Sequence, residues 1–221
     1  KGRVYAVDMT GPSPVIAGSL ALPEGLIAQE MLLSGNRLVV IATGAGMIEP
    51  AVDVPAGIPT PRGGFGFSGT AFVDVDVSDA ANMRRTNTLR VEASYVSARL
   101  TGSTARVVLD PRPLSRIALA SGDPHAMERA VADAGASQWI PTATLTRADG
   151  SVESQQALVA CTAISRPGHR GPLGMLNLIT MDLSQGVTPT DSDAVLASGS
   201  TVMASPSRIY VALGHGSVAR D

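Results

Sequence analysis

Arg99 is the residue whose type and position most favour contact with a ligand. It stands where a repeated strand pattern, described below, has apolar residues in its other copies, Leu32 and Met203. Departures from a local pattern are expected at functional sites, and a guanidinium binds carboxylate or phosphate groups through its forked donors. We therefore predict a ligand-binding site for a small anionic ligand at Arg99, with Tyr95 and Glu30 beside it.

The charged residues also allow structural interpretations. Arg99 would serve the scaffold alone if it formed an ion pair with Glu92 or Glu30. Asp74 and Asp76 are two residues apart in a predicted strand, so both point to one face of that strand, about 7 Å apart. Two carboxylates there are suited to hold Ca²⁺ or to perform acid/base chemistry. A solvated strand face explains the same pair without any function.

Motifs for metal binding, disulfide formation and common kinds of catalysis are absent from this sequence. His125, His169 and His215 do not have the spacing of metal ligands, and Cys161 is the single cysteine, so the chain has no internal disulfide. Gly-x-Ser-x-Gly, phosphate-loop and CxxC motifs are absent from the sequence. We therefore predict no catalytic residue, no metal and no cofactor.

Composition narrows the class of partner. Hydrophobic residues make up 44% of the 221 residues, which is enough for a packed core. The net charge of −2, with Lys1 as the only lysine, provides no basic surface for a nucleic-acid backbone. Apolar runs in the sequence stay shorter than the roughly 18 residues that a membrane span needs. We expect no nucleic-acid partner and no membrane span in this fragment.

A repeat of about 40 residues supplies the strands that carry these side chains. Each copy has an apolar run closed by Asp, an apolar residue and Ser or Thr, at residues 4–10, 72–78 and 178–184. β-Branched and apolar residues favour buried strands, and Asp, Ser and Thr side chains bond nearby backbone N–H groups to start a turn. The recurrence of Asp8, Asp76 and Asp182 therefore indicates turn building.

Each copy continues with an apolar strand, a tight turn and a second apolar strand, at residues 31–40, 98–109 and 202–211. Two hairpin-like units give four strands per repeat, which is typical of a β-propeller blade; a β-sandwich need not repeat this closely. We predict an all-β fold, a partial β-propeller of four-stranded antiparallel blades forming a single domain over residues 1–221. The repeats cover about 1–43, 70–110 and 173–213.

Two intervals interrupt the repeat. Residues 44–69 are rich in Gly and Pro and are predicted to form a loop. Residues 111–172 form an insertion that contains one helix at about 124–134, lying outside the sheets. We expect its apolar side chains Met127 and Val131 to be buried.

Several segments together resemble a family of secreted bacterial and archaeal proteins with a C-terminal β-propeller that is distantly related to WD40 repeats. The resemblance spans nearly the whole chain and is carried by residues 75–79, 94–100, 139–141, 161–167 and 173–212. It implies a propeller that is exported and works extracellularly or at the cell surface, and a full protein longer than this fragment. It implies no particular activity.

Two functions are compatible with this sequence. The leading hypothesis is a non-catalytic binding or scaffold module, because a propeller is a rigid disc whose loops dock an unknown protein or a small anionic ligand. The alternative is a hydrolase or lyase that uses carboxylates at the mouth of the propeller channel. An enzyme should bring at least two of five residues into one concave pocket with shifted pKa values: Asp74, Glu30, Glu92, Arg99 and Tyr95.

Overall fold

β-Strands dominate the protein, as the apolar repeat predicts. The computed structural model describes residues 2–44, 69–113, 124–166, 168, 174–199, 201–205 and 208–212. The α-helices in these ranges are α1 (Pro124–Asp133) and α2 (Ala136–Trp139). The strands are β1 (Arg3–Asp8), β2 (Val15–Ala21), β3 (Ile27–Ser34), β4 (Arg37–Gly44), β5 (Gly69–Asp76), β6 (Arg84–Val91), β7 (Ser94–Thr101), β8 (Thr104–Asp110), β9 (Thr142–Arg147), β10 (Val152–Ala157), β11 (Ile164–Ser165), β12 (Leu176–Asp182), β13 (Pro189–Val195), β14 (Thr201–Ala204) and β15 (Ile209–Ala212).

The described strands form four sheets. Sheet 1 contains β1 and β2, and sheet 4 contains β14 and β15. Sheet 2 has the strand order β10-β9-β6-β5-β4-β3, and sheet 3 has the order β11-β13-β12-β8-β7. Pairing is antiparallel except between β11 and β13. Four consecutive antiparallel strands make up most of each large sheet, β3 to β6 in sheet 2 and β7, β8, β12 and β13 in sheet 3, and strands of the insertion extend one edge.

Each sequence repeat is divided between two sheets, which corrects the expectation that one repeat forms one sheet. The second copy gives β5 and β6 to sheet 2 but β7 and β8 to sheet 3. The link between β6 and β7 is only Glu92 and Ala93, and Ala93 is buried in the core between the two sheets. The chain therefore crosses the core there instead of folding back as a hairpin.

Asp and Ser or Thr close the strands as predicted. One carboxylate oxygen of Asp8, Asp76 and Asp182 accepts the backbone N–H of the residue two positions further on, at 2.8, 2.9 and 3.0 Å. Hydrogen bonds from that same residue hold the pKa of each carboxyl below its usual value. The turn-building interpretation of these three residues is confirmed.

Strands β4 and β5 of sheet 2 are buried on both faces of the sheet. Alternation along β4 and β5 sends Val39, Ile41 and Phe72 into a cluster shared with sheet 3, and Val40 and Val73 into a cluster shared with sheet 1. All five side chains have no exposed surface. Burial of each one contributes about 1.5–3 kcal/mol. Sheets stacked face to face over such cores are the arrangement of propeller blades.

The insertion joins the sheets. β9 pairs with β6, and β10 pairs with β9, so this hairpin widens sheet 2. A separate small cluster packs the insertion against sheet 3 through Ile140, Val159, Met175 and Ala194. The insertion is therefore built into the propeller and is not an appended unit.

The predicted helix is present as α1, but the insertion also contains α2 and a short 3₁₀ helix at Cys161–Ala163, where a single helix was expected. Helix α1 makes no extensive contact with any described strand, and for this reason Val131 is only half-buried where full burial was expected. The side chain of Met127 lies outside the described residues, as does the predicted loop at 44–69 apart from its two ends, Gly44 in β4 and Gly69 in β5. No described helix has the length and apolar character required to cross a lipid bilayer.

Candidate functional site

Edge strands of sheets 2 and 3 bring Glu30 and Tyr95 together. β3 is the edge of sheet 2 and β7 is the edge of sheet 3, and each has a bulge next to the residue concerned. A bulge re-aims the side chains beside it. The Tyr95 hydroxyl donates a hydrogen bond to Glu30 Oε2. Two of the three predicted site residues therefore meet at the junction of two blades.

The Tyr95 phenol stays protonated in this position. Burial raises the pKa of Tyr95 most, and the hydrogen bond to Glu30 and the charge of that carboxylate raise it further. A backbone hydrogen bond with Ala98 and the charge of Arg99 lower it by less. The Tyr95 hydroxyl proton is thus used by Glu30, and the pair links the two blades.

Arg99 is exposed and lies directly opposite Arg106 across β7 and β8. Its guanidinium donates a hydrogen bond to the carbonyl oxygen of Ala98. In the part of the chain that the structure describes, neither arginine is within ion-pair distance of a carboxylate. Like charges directly opposite each other destabilise a strand pair. An anion bound between the two guanidiniums would remove that repulsion.

Arg106 is a site residue that the sequence analysis missed. In sheet 2 the equivalent cross-strand pair is Leu32 with Val39, and both side chains are buried. The same spacing along the chain relates Leu32 to Arg99 and Val39 to Arg106. A position-by-position comparison of the two hairpins would have identified Arg106 from the sequence, because both members of an apolar pair are replaced by arginine.

Asp74 lies inside the protein, which corrects the interpretation of a solvated strand face. The residue is 2% exposed, and its Oδ2 accepts a hydrogen bond from Arg37 Nη1 at 3.0 Å. Its Oδ1 is buried and has no hydrogen-bond partner among the described residues. A cavity of about 370 Å³ borders this pair, and its wall also contains Asn36 and Asp76. The sequence did not indicate the contact with Arg37, because it joins residues far apart in the chain.

Asp74 and Asp76 have opposite electrostatic environments. Burial raises the pKa of Asp74, although the Thr86 hydroxyl and the charge of Arg37 lower it in part. Hydrogen bonds from the Ser78 backbone and hydroxyl lower the pKa of Asp76. Asp76 is therefore a turn carboxylate near solvent, whereas Asp74 is a buried carboxylate with a single cationic partner.

The candidate residues do not converge in either described cavity. The cavity at Asp74 contains none of Glu30, Glu92, Tyr95 and Arg99. A second cavity, of about 280 Å³, lies between β9, β10 and β13 and also contains none of them. Glu92 accepts a hydrogen bond from the Thr142 backbone N–H at 3.3 Å. Within the described ranges, no three His, Cys, Asp or Glu side chains are grouped as metal ligands.

Comparison with known proteins agrees with this architecture. Residues 1–220 match the family described as the beta propeller domain. The match covers nearly the whole chain, so the protein belongs to this family, and the predicted all-β propeller fold is confirmed. No curated protein and no solved structure matches the sequence significantly.

Proposed function

We propose that this propeller is a non-catalytic binding or scaffold module, and that it binds an anionic group at Arg99. The observation that carries the proposal is the Arg99–Arg106 pair, two arginines directly opposite each other on β7 and β8 without a carboxylate partner among the described residues. Two adjacent forked donors suit a carboxylate, a phosphate or an acidic sugar. The group belongs to a small ligand or to a partner protein.

The arrangement of the polar residues supports binding more than catalysis. The Tyr95 hydroxyl proton is hydrogen-bonded to Glu30, so it is not free for donation to a substrate at Arg99. Asp74 is the carboxylate that would favour the hydrolase or lyase alternative, because burial raises its pKa. It is held by Arg37 in a cavity that includes none of the other candidates, whereas an enzyme would gather its acid and base around one substrate.

A melting screen with anions tests the proposal directly. Acetate, inorganic phosphate and glucuronate are added to the wild type, Arg99→Leu and Arg106→Leu, with Arg90→Leu as the matched control for loss of an exposed strand arginine. A ligand that binds only the folded state raises the melting temperature according to RT ln(1 + [L]/Kd). We expect a shift in the wild type and the control that is lost in the other two variants. Equal shifts in all four proteins, or no shift with any anion, would refute the anion site.

We further propose that the full protein is exported and acts extracellularly or at the cell surface. The proposal rests on the sequence resemblance described above. Protease treatment of intact cells that express the full-length protein tests it, because an exported propeller is digested without lysis. Protection until the cells are lysed would contradict export, and it would leave the anion site to be judged by the melting screen alone.

A further inference from the structure

The cavity at Asp74 contains a polar group that the fold does not satisfy. Asp74 is 2% exposed, and one of its two carboxylate oxygens has no hydrogen-bond partner among the described residues. The nearby Thr86 hydroxyl donates to the backbone carbonyl oxygen of Asp74 at 3.3 Å and not to this oxygen. A buried acceptor left unpaired costs the full loss of its hydration. The other oxygen is held by Arg37 Nη1 at 3.0 Å, and the Arg37 side chain is 30% exposed.

The Arg37–Asp74 pair is specific to sheet 2 and is not part of the repeat. Arg37 pairs in register with Asp76 on β5, as Thr104 pairs with Asp182 on β12. Thr104 is therefore the equivalent of Arg37, and Thr180 is the equivalent of Asp74. Sheet 3 thus has two short neutral residues where sheet 2 has a cation and a buried anion. Blade geometry alone does not require the charged pair, since the neighbouring blade forms without it.

The backbone near Arg37 and Asp74 leaves room for the contact between them. Gly186 has φ +127°, and a side chain there would place its Cβ 3.0 Å from Arg37 Nη1 and 4.0 Å from Asp74 Oδ2. The absence of a side chain at this position keeps the guanidinium in contact with the carboxylate. The remaining wall combines the apolar Leu183 with polar residues that include Ser34, Asn36 and Ser184.

We propose that this cavity binds a primary ammonium group, which competes with the Arg37 guanidinium for the Asp74 carboxylate. An ammonium group has three donors and a compact charge, so it satisfies Asp74 and still reaches the hydroxyl and amide oxygens of the wall. An anion would face Asp74 and Asp76. Ca²⁺ requires six to eight oxygen ligands, and a quaternary ammonium group is recognised by aromatic side chains, which the described lining lacks.

Titration with methylammonium chloride, followed by the amide chemical shifts of Gly35, Asn36 and Gly186, tests the proposal. Tetramethylammonium chloride is the matched probe, since it has the same charge and no N–H donor. We expect saturable shifts with methylammonium and none with tetramethylammonium or Ca²⁺. Equal shifts with both organic cations would overturn the proposal in favour of unspecific cation binding. Shifts with Ca²⁺ alone would overturn the proposal in favour of a metal site. No shift with any probe would also overturn it, and an ordered water would then be the partner of Asp74.

Variants separate the role of Asp74 from that of the fold. Asp74→Asn should weaken methylammonium binding about tenfold or more, because a hydrogen bond to a charged group is lost. Arg37→Thr should tighten binding, because the competing cation is removed. The double variant Arg37→Thr/Asp74→Thr copies the residues of sheet 3, so it should fold and show no binding. Unchanged affinity in Asp74→Asn, or binding by the double variant, would place the ammonium group elsewhere. Weaker binding in Arg37→Thr would refute the competition.

Discussion

Removal of Arg37 should destabilise the protein far more than removal of its partner Asp74. The two side chains differ in exposure, 30% for Arg37 and 2% for Asp74. Arg37→Thr leaves a buried carboxylate without any cation, which costs about 3–5 kcal/mol. Asp74→Thr leaves a guanidinium that turns towards water, and the expected loss is about 0–1 kcal/mol, as for an exposed pair.

The double variant Arg37→Thr/Asp74→Thr should recover most of the stability, because it no longer contains a buried charge. For a chain of this size a loss of about 3 kcal/mol lowers the melting temperature by roughly 6–12 °C. The three variants and the wild type form a double-mutant cycle, measured by denaturant unfolding of the whole chain. A loss in Asp74→Thr as large as that in Arg37→Thr would refute this reasoning.

Lowering the pH should restore part of the stability that Arg37→Thr loses. Burial raises the pKa of Asp74 above its usual value of 3.8, so the folded state binds a proton at this carboxyl more tightly than the unfolded state does. The contribution of such a group to stability is fully present below the unfolded pKa and is lost as the pH rises through the folded pKa. The deficit of Arg37→Thr relative to the double variant should therefore shrink as the pH falls towards 4. A deficit that is independent of pH would show that Asp74 is not its source.

Three further substitutions test the core, the link between blades and a turn. Phe72→Ala should cost about 3–5 kcal/mol in denaturant unfolding, because the ring is fully buried between sheets 2 and 3; a loss below about 1 kcal/mol would contradict that packing. Tyr95→Phe should cost about 1.5–3 kcal/mol through the lost bond to Glu30. It should also remove from an alkaline absorbance titration the phenol that ionises at the highest pH, because a Tyr95 without the bond to Glu30 would ionise earlier. Gly102→Ala should cost about 1–2 kcal/mol because φ is +60°, whereas Gly135→Ala, at φ −73°, should cost little; equal effects would count against the left-handed turn.

Local pattern was sufficient to predict the strands, the turns and the class of fold. Apolar runs form strands because their side chains need burial, and Asp8, Asp76 and Asp182 end them because a carboxylate binds the N–H two residues further on. Helix α1 was predictable for the same reason, since its boundary signals lie within one turn of the chain. All of these are interactions between near neighbours, which a sequence displays directly.

The sequence also marked Arg99 as a departure from the repeat, since that comparison needs only aligned copies. It did not reveal that each repeat is shared between two sheets, because strand pairing depends on which apolar faces meet across the core. Arg37 meets Asp74 across 37 positions of the chain, and Glu30 meets Tyr95 across 65. Glu30 and Tyr95 were brought together by the stacking of sheets 2 and 3 and by the bulges in β3 and β7, whereas Arg37 reaches Asp74 within sheet 2 through the register of β4 with β5. The sequence predicted a pair of carboxylates, Asp74 and Asp76. Only the tertiary structure shows that Asp74 forms an ion pair with Arg37 and that its other oxygen is buried and unsatisfied.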